Sequence, residues 1–347
     1  MKRVLIFGNL GYIGPVLVEA LRQRGPVHVT GHDTGYFDRC YSAVHSSGLN
    51  VDQQIYGDVR DVDATLFDGV DAVIYLAAIS NDPMGRAFAE PTHAINDKAA
   101  ERVAGAAKAA GVGHFVFASS CSVYGAGGDA AKRETDALDP LTDYAQSKVA
   151  AEGRLQALAD AGFVVTCLRF ATACGPSPRM RLDLVLNDFV ATALTEGRIT
   201  ILSDGTPLRP LIDTRDMAEA MIWAAGRPRE SGGDALIVNA GSDEWNFSVL
   251  DLARQVRAFY GEIAIDVNTE AAPDKRSYRV DFGLFHALAP EAYPTRTVSE
   301  TIAALDNVLG SAAGGLADFR HGPYIRLNLI RELIAAGVLD KDLRWRV

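Results

Sequence analysis

Cysteine is scarce in this sequence, and no two cysteines have the spacing of a metal or redox site. The 347 residues contain four cysteines, Cys40, Cys121, Cys167 and Cys174, and none of them forms a Cys-x-x-Cys motif. Because two of them lie in or beside apolar runs, we expect reduced thiols rather than a disulfide framework. The seven histidines show no metal-ligand spacing either. The sequence therefore predicts no metal site and favours a cytoplasmic protein.

Long apolar runs and long basic runs are also missing. The most apolar stretches, such as residues 72–78 and 114–118, have the length of strands and are too short to span a membrane. The apolar stretch after Met1 is too short for a signal peptide, so we interpret it as a first strand. The formal net charge is −10, and no patch combines lysine or arginine with aromatic residues. Nucleic acid and membrane are therefore excluded as the main partners.

A glycine-rich turn follows the first predicted strand. Residues 4–7 are apolar, and an apolar-periodic helix extends to Arg24 after the turn. Strand, glycine turn and helix in this order are the context of a dinucleotide fingerprint, because glycines let backbone N–H groups approach a pyrophosphate. The spacing is Gly-x-x-Gly-x-x-Gly, and a purely structural turn is the alternative. The predicted nucleotide-binding residues are Gly8, Asn9, Leu10, Gly11, Tyr12, Ile13 and Gly14.

An acidic residue ends the second predicted strand. Residues 27–31 lead into His32 and Asp33, and a carboxylate about 20 residues beyond the last glycine can accept hydrogen bonds from both hydroxyls of the adenine ribose. The same carboxylate repels a 2′-phosphate, so Asp33 favours NAD over NADP. The alternative is a solvated loop carboxylate, and Arg39, six residues further on, could serve a 2′-phosphate.

Small and polar residues follow the next three predicted strands, where open α/β sheets bind ligands. Asp58 and Val59 follow the third strand and could flank an adenine. The fourth strand leads into small residues that let the backbone pass under a cofactor, and then into polar residues that could instead be helix-capping turn residues. Hydroxyl side chains follow the fifth strand and could bind a substrate hydroxyl. The residues after the fourth and fifth strands are Leu76, Ala77, Ala78, Ser80 and Asn81, and Ser119, Ser120 and Ser122.

Tyr144 and Lys148 are four residues apart on a predicted helix. Because Pro140 cannot lie inside a helix and residues 144–161 are rich in alanine, the helix is expected to begin near Thr142. Both side chains then project from one face. A nearby ammonium favours ionisation of a phenol, so Tyr144 could take a proton from a sugar hydroxyl while hydride moves to a nicotinamide. An exposed pair on a solvated helix is the alternative.

Several arginines lie in the second half of the chain, although the chain is acidic overall. Their forked donors suit the recognition of a diphosphate. Each of them could instead be an ordinary surface residue. The four arginines are Arg179, Arg181, Arg209 and Arg276.

Together these motifs resemble the extended short-chain dehydrogenase/reductase family, in particular its nucleotide-sugar epimerase/dehydratase branch. The resemblance extends over residues 2–280. Its motifs are Gly8-x-x-Gly11-x-x-Gly14, Asp58-Val59, Leu76-Ala77-Ala78, Asn96, Ser119-Ser120-x-x-Val123-Tyr124-Gly125, Pro140-x-x-x-Tyr144-x-x-Ser147-Lys148, Arg209 and Arg276.

The resemblance implies a fold and an assembly. The expected fold is a Rossmann-type doubly wound parallel sheet with a smaller C-terminal α/β substrate domain. Residues 1–170 would form the NAD-binding domain, to which segments near 211–242 return. Residues 171–210 and 243–347 would form the substrate-binding domain and a helical C-terminal tail. A homodimer is expected to form through the helices near 95–110 and 144–160.

The resemblance also implies roles for individual residues. Tyr144 would be the catalytic acid or base, and Ser120 would bind the reacting hydroxyl. Lys148 would lower the pKa of Tyr144 and hold the nicotinamide ribose. NAD would also contact Asp58, Val59, Leu76, Ala77, Ala78, Asn96 and Ser119. A nucleotide-diphosphate sugar, as substrate, would contact Ser80, Asn81, Ser120, Ser122, Asn187, Arg209 and Arg276.

Departures from the family pattern narrow the expected reaction. Sugar 4,6-dehydratases of this branch carry an Asp-Glu pair where this chain has Cys121 and Ser122, so 4,6-dehydration is not expected. The catalytic cysteine of some 3,5-epimerases matches Ser122, and Cys121 is expected to be a packed thiol. Asp213 and Thr214 stand where His-Val is usual, which affects local substrate contacts.

The leading hypothesis is an NAD-dependent nucleotide-sugar epimerase that acts at C4 of the sugar. The alternatives are a keto-sugar reductase that uses NADPH, a decarboxylase of nucleotide-linked uronic acids, and a nucleotide-sensing module without catalysis. Residues 318–347 show helical spacing and are expected to pack on the core or on a partner subunit.

Overall fold

A computed structural model describes residues 2–37, 40, 50–126, 128, 130–271, 277–311, 316 and 318–346. Arg39 and Arg276 lie outside these described residues. The strands are β1 (Arg3–Phe7), β2 (His28–Asp33), β3 (Gln53–Tyr56), β4 (Ala72–Tyr75), β5 (His114–Ser120), β6 (Ala131–Lys132), β7 (Val164–Phe170), β8 (Thr172–Cys174), β9 (Arg198–Ile201), β10 (Leu208–Asp213), β11 (Ala235–Ala240), β12 (Asn246–Ser248), β13 (Ala264–Val267) and β14 (Arg279–Val280). The α-helices are α1 (Gly14–Gln23), α2 (Asp82–Ala87), α3 (Ala89–His93), α4 (Ala100–Ala109), α5 (Asp143–Gln156), α6 (Val185–Glu196), α7 (Thr214–Ala224), α8 (Val249–Tyr260), α9 (Gly283–Leu288), α10 (Val298–Ser311) and α11 (Arg326–Ala335).

A parallel sheet of seven strands forms the centre of the molecule, in the order β11-β7-β5-β4-β1-β2-β3. Each neighbouring pair is parallel. The inner strands β1, β4, β5 and β7 are largely apolar because both faces of the sheet are covered, and all of β4 is buried. The chain builds outward from β1 to β3 and then returns to β4 on the other side of β1. This reversal opens a crevice at the carboxyl ends of β1 and β4, where doubly wound folds bind ligands.

Helices cover both faces of the sheet, as expected for a doubly wound fold. On one face α1 and α7 contribute Leu17, Leu21 and Met221 to a buried apolar cluster. On the other face α4 and α5 contribute Val103 and Leu155 to a second cluster. The predicted Rossmann-type α/β fold is therefore confirmed.

A third apolar cluster holds together a smaller group of elements beside the sheet, which we call the C-terminal lobe. It includes α6, α8 and α10, with the three-stranded sheet β12-β10-β8 and the parallel pair β13-β9. Residues of the predicted returning segment, 211–242, include α7, which packs on α1, and β11, which is an edge strand of the central sheet. The division into two domains at residue 170 stays a prediction.

The helix expected near residues 95–110 is interrupted. It consists of α3, a π-helical segment (Ala94–Ala99) and α4. A π-helical turn is a common departure at functional sites, and here it carries the fully buried Asn96. The strand β5 extends two residues beyond the apolar stretch at residues 114–118, so Ser119 and Ser120 belong to β5.

The C-terminal segment packs on the first part of the chain. Leu339 and Leu343 are fully buried in the apolar cluster that also contains β1 and β4 residues. The Tyr36 hydroxyl donates a hydrogen bond to the Leu343 carbonyl, and the Trp345 Nε1–H donates to the Thr34 carbonyl at 2.8 Å. The segment is therefore anchored beside the carboxyl ends of β2 and β3, and the expectation that it packs on the core is confirmed.

Replacing Leu343 by alanine is expected to lower the free energy of unfolding by about 2–4 kcal/mol, because a fully buried side chain is removed. Val338→Ala is the matched control, since Val338 is exposed on the same segment, and it should change the stability by less than about 0.5 kcal/mol. Urea unfolding followed by circular dichroism measures both values. Equal effects of the two substitutions would contradict the anchoring of this segment.

Candidate active site

A cleft of about 920 Å³ opens at the carboxyl ends of the central strands. It extends from the end of β2 to the first turn of α5 and continues along α6 of the C-terminal lobe. Most residues that the sequence singles out line it. They are Gly8, Gly11, Tyr12, Ile13, Asp33, Asp58, Val59, Leu76, Ala77, Ala78, Ser80, Asn81, Ser119, Ser120, Ser122, Tyr144, Lys148 and Arg209.

The glycine turn lies directly against the end of β4. Gly8 has a φ of +87°, and a Cβ at this position would lie 2.6 Å from the backbone nitrogen of Ala77. Only glycine meets both conditions without displacing the backbone. The Leu10 N–H donates to Asp33 Oδ2 at 3.0 Å, which ties the turn to the end of β2. The turn thus has the close backbone approach that a dinucleotide diphosphate requires.

Two predicted cofactor contacts lie behind the cleft wall instead of in it. Asn9 is buried, and its Nδ2 donates to Gln54 Oε1 at 2.7 Å. Asn96 Oδ1 accepts a hydrogen bond from the Ile79 N–H at 2.8 Å, and its Nδ2 donates to Ser147 Oγ at 3.0 Å. Because their side-chain amides already bond to the protein, these residues position the wall. Leu10 and Gly14 are also buried; Leu10 acts through the N–H that it donates to Asp33.

Asn187 does not have the predicted direct contact with substrate. Its side chain is fully buried on α6. Its Oδ1 accepts a hydrogen bond from the Gly175 N–H at 3.0 Å, and its Nδ2 donates to the Tyr12 hydroxyl and to the Arg181 carbonyl, both at 2.8 Å. The prediction is corrected, since these bonds make Asn187 a link between the glycine turn and the segment around Arg181.

The three predicted catalytic side chains meet at one end of the cleft. Tyr144 lies in the first turn of α5, which Thr142 caps by accepting a hydrogen bond from the Ala145 N–H at 3.2 Å. The Ser120 hydroxyl, at the end of β5, faces the Tyr144 phenol closely enough to lower its pKa. The Lys148 Nζ lies 5.6 Å from the centre of the Tyr144 ring. This is the arrangement expected of a proton-transfer site.

Burial dominates the electrostatics of this cluster. It raises the pKa of Tyr144 to about 12, while the Ser120 hydroxyl and the Arg181 charge oppose the increase. It lowers the pKa of Lys148 to about 7. The Lys148 Nζ donates to the Ala118 carbonyl at 2.7 Å. Arg181 is the cation whose charge lowers the pKa of this phenol, and the expectation that Lys148 lowers it as well stays a prediction.

Arg181 and Asp183 form a buried ion pair in the cleft. Arg181 Nε lies 3.0 Å from Asp183 Oδ1. The predicted substrate residues join this pair, since Ser80 Oγ accepts a hydrogen bond from Arg181 Nη1 at 3.1 Å and Asn81 Nδ2 donates to Asp183 Oδ2 at 2.7 Å. The arginine-rich run pointed to Arg181 as a phosphate residue, but the sequence contained no signal for this pair beside Tyr144.

Tyr278 is a second site residue that the sequence reasoning missed. Its side chain is 6% exposed and lines the cleft. Burial raises its pKa, and the charges of Arg209 and Asp82 and the phenol of Tyr144 also act on it. The hydroxyl of Tyr278 therefore belongs to the reactive end of the cleft, although no motif marks it.

The two residues after Ser120 have different environments. Cys121 is fully buried, its thiol donates to the Arg169 carbonyl at 3.0 Å, and burial raises its pKa. A thiol of this kind is a packed side chain. Ser122 lines the cleft, and its Oγ has no hydrogen-bond partner among the described residues. Ser122 is thus the residue of the two that can contact a substrate.

The described ranges contain neither a metal-ligand cluster nor a membrane-spanning helix. No group of three or more His, Cys, Asp or Glu side chains there could hold a metal ion. Within the same ranges, no helix combines the length and the apolar character needed to cross a membrane. The four cysteines are free and buried.

A family model described as the NAD dependent epimerase/dehydratase family matches residues 4–241. The chain belongs to this family. The match covers more than half of the chain and includes the glycine turn, Ser120, Tyr144 and Lys148. It confirms the resemblance to the nucleotide-sugar branch of the extended short-chain dehydrogenases/reductases.

Individual relatives within the family are of similar length. The chain is 30% identical over 280 residues to the UDP-glucose 4-epimerase of Azospirillum brasilense. The aligned region covers 75% of this chain and 78% of that protein. It is 28% identical over 271 residues to YtcB, an uncharacterized UDP-glucose epimerase of Bacillus subtilis (strain 168), covering 76% of this chain and 83% of that protein. The structure of MoeE5 in complex with UDP-glucose and NAD has a TM-score of 0.75 and 27% identity, covering 90% of this chain and 100% of that one.

The cofactor of this family is NAD, and the residues of the cleft fit it. The backbone of the glycine turn approaches Ala77 closely enough that any Cβ at Gly8 would clash. Asp33 lies at the other side of the turn with its carboxylate in the cleft wall. Lys148 and Tyr144 mark the end at which the nicotinamide would react. The individual cofactor contacts and the preference of Asp33 for an unphosphorylated ribose stay predictions.

The lowered pKa of Lys148 predicts how stability depends on pH. The unfolded chain holds the lysine proton up to pH ~10.4, whereas the folded chain releases it near pH 7 because its pKa is about 7. The unfolded state therefore binds more protons between these values, and the stability of the wild type rises with pH across this window. The Lys148→Met variant lacks this titrating group. Its free energy of unfolding minus that of the wild type should therefore be greatest below pH ~7 and decrease by a few kcal/mol toward pH ~10.

Urea unfolding of the dinucleotide-free protein at several pH values measures this difference. Lys98→Met is the control, since Lys98 is exposed on the neighbouring π-helical segment. A stability difference between Lys148→Met and the wild type that does not change with pH would contradict the shifted lysine.

Proposed function

We propose that this protein is a nucleotide-sugar 4-epimerase that uses NAD. The observation that carries the proposal is the cluster of Ser120, Tyr144 and Lys148 in a cleft that fits NAD, with no carboxylate at the two positions after Ser120. Sugar 4,6-dehydratases of this branch carry an Asp-Glu pair there to remove water, and this chain has a buried thiol and a serine. The UDP-glucose epimerases among the relatives support the same reaction.

The chain's own residues account for the proton transfer. The Ser120 hydroxyl binds the reacting sugar hydroxyl beside the Tyr144 phenol, which takes its proton and later returns it. When bound, NAD supplies the hydride acceptor and donor. The Lys148 side chain donates a hydrogen bond to the Ala118 carbonyl. This bond keeps its titratable nitrogen 5.6 Å from the centre of the Tyr144 ring. Ser122 and Tyr278 line the cleft and offer hydroxyls to the sugar, whereas Ser80 and Asn81 act through their bonds to the Arg181–Asp183 pair.

The charge balance near Tyr144 favours a neutral sugar over a uronic acid. The guanidinium of Arg181 is already paired with Asp183 and bonded to Ser80. A decarboxylase would have to recognise the carboxylate of its substrate, and Arg181, the arginine that acts on Tyr144, is already used in this pair. Asp33 in the cleft wall disfavours NADPH and hence the reductase alternative. The homodimer and the cytoplasmic location stay predictions.

Tyr144→Phe is expected to lower the turnover of UDP-glucose or UDP-N-acetylglucosamine by about 10²–10⁴-fold, because the proton acceptor is lost. The NAD content of the variant should equal that of the wild type, since the phenyl ring remains. Turnover is followed by chromatography of the two epimers, and NAD is measured by mass spectrometry after denaturation.

The matched control is Tyr56→Phe, because Tyr56 is an exposed tyrosine outside the cleft. Its turnover and NAD content should equal those of the wild type. Full turnover by Tyr144→Phe would rule out the assignment.

A further inference from the structure

Arg326, the first residue of α11, is a buried cation in the wall of the active-site cleft. Its side chain is 1% exposed, yet it is among the residues that line the same cleft as Tyr144 and Gly8. It comes from the C-terminal segment, outside residues 4–241 that the family model matches. Arg326 therefore lies in the segment of residues 318–347, to which the sequence motifs assign no function.

The guanidinium of Arg326 has no carboxylate partner among the described residues. It stacks 4.1 Å from the centre of the Phe37 ring, and its Nη2 donates to the Arg179 carbonyl at 2.9 Å. Its Nη1 has no hydrogen-bond partner within the described part of the chain. Two other arginines at the cleft each have a carboxylate partner. Arg181 pairs with Asp183, and Arg320 pairs with Asp188.

An unpaired charge at this depth is unfavourable unless a counter-charge is provided. Burial lowers the pKa of Arg326 to about 10, so the group is still charged at neutral pH. Cys40 and Asp183 partly oppose the effect of burial, while the positive charges of Arg181 and Arg179 add to it. Natural proteins pair buried charges because desolvation is costly. A bound anion would provide the missing partner and accept the free Nη1 donor.

The surroundings of Arg326 indicate which kind of anion would fit. Phe37 follows the strand end that carries Asp33, where the adenosine of NAD would bind. Arg179 precedes Arg181, which lies near Tyr144 and the sugar position. The guanidinium therefore lies between the cofactor side and the substrate side of one cleft. Both molecules carry a diphosphate in the middle of their length, and a planar guanidinium matches two phosphate oxygens at once.

We propose that Arg326 binds a diphosphate, so that the C-terminal segment supplies a phosphate subsite of the active-site cleft. The diphosphate belongs to NAD or to the nucleotide sugar; the second source rests on the proposed function. The remainder of the segment keeps the guanidinium in place, because Leu329 and Ile330 of α11 are fully buried. Stacking on Phe37 fixes the plane of the guanidinium before the ligand arrives, which lowers the entropic cost of binding.

Arg326→Met tests this subsite, because methionine fills similar space without the charge. Isothermal titration calorimetry on the full-length, dinucleotide-free protein gives the Kd of inorganic pyrophosphate, of NAD and of UDP. The variant should bind pyrophosphate at least about 10-fold more weakly, as expected for a charge-assisted bidentate contact. Arg331→Met is the matched control, since Arg331 is exposed on the same helix, and its three Kd values should equal those of the wild type.

The two sources of the diphosphate give different results. A weaker Kd for NAD with an unchanged Kd for UDP assigns the subsite to the cofactor, and the reverse assigns it to the substrate. Arg326→Lys is measured beside the methionine variant, because lysine keeps the charge and loses the fork; its Kd for the assigned ligand should be intermediate. Equal Kd values for all three ligands in the wild type and both variants would overturn the proposal. These measurements need no turnover, so they leave the proposed epimerase reaction to be tested separately.

Discussion

The reactive end of the cleft depends on a charged network that is buried behind it. Glu152 lies one turn after Lys148 on α5, and its carboxylate accepts hydrogen bonds from Arg169 Nε at 2.9 Å and Nη2 at 2.7 Å. It also accepts a hydrogen bond from the Ser119 hydroxyl at 2.6 Å. Because Arg169 balances the carboxylate, Glu152 only partly offsets the burial of Lys148. The network fixes α5 on β5 and β7 and leaves Lys148 close to its titration point.

The arginines in and behind the cleft differ in whether they have a carboxylate partner. Arg169 and Arg181 have carboxylate partners and hold structure together, whereas Arg326 has none among the described residues. Two ends of the chain meet in this arrangement, since the segment around Arg326 and Leu343 closes the side of the cleft beside β2 and β3. The cleft is thus formed by the family's usual elements and by a C-terminal segment beyond the matched region.

The fold and the reactive cluster could be predicted because their signals are local. The strand, glycine turn and helix are continuous in sequence, and the carboxyl ends of parallel strands must meet at one edge, so Asp33, Ser120 and Tyr144 converge. The errors concern contacts between distant segments. The packing of the C-terminal lobe decides that Asn187 bonds to Tyr12. It also decides that Arg181 reaches Ser80 and the surroundings of Tyr144. Arg326 reaches Phe37 and Arg179 across the whole chain, and no local pattern encodes such a contact.

The most direct test of the account follows the hydrogen atom at C4 of a UDP-hexose that the enzyme converts. With deuterium at C4 and ordinary water as solvent, NMR should show the label retained at C4 in both epimers, because the hydride leaves and returns within one cleft. No solvent hydrogen should appear at another ring carbon. Loss of the label from C4, or exchange with solvent at C3 or C5, would contradict a 4-epimerase and indicate enolisation of the sugar instead.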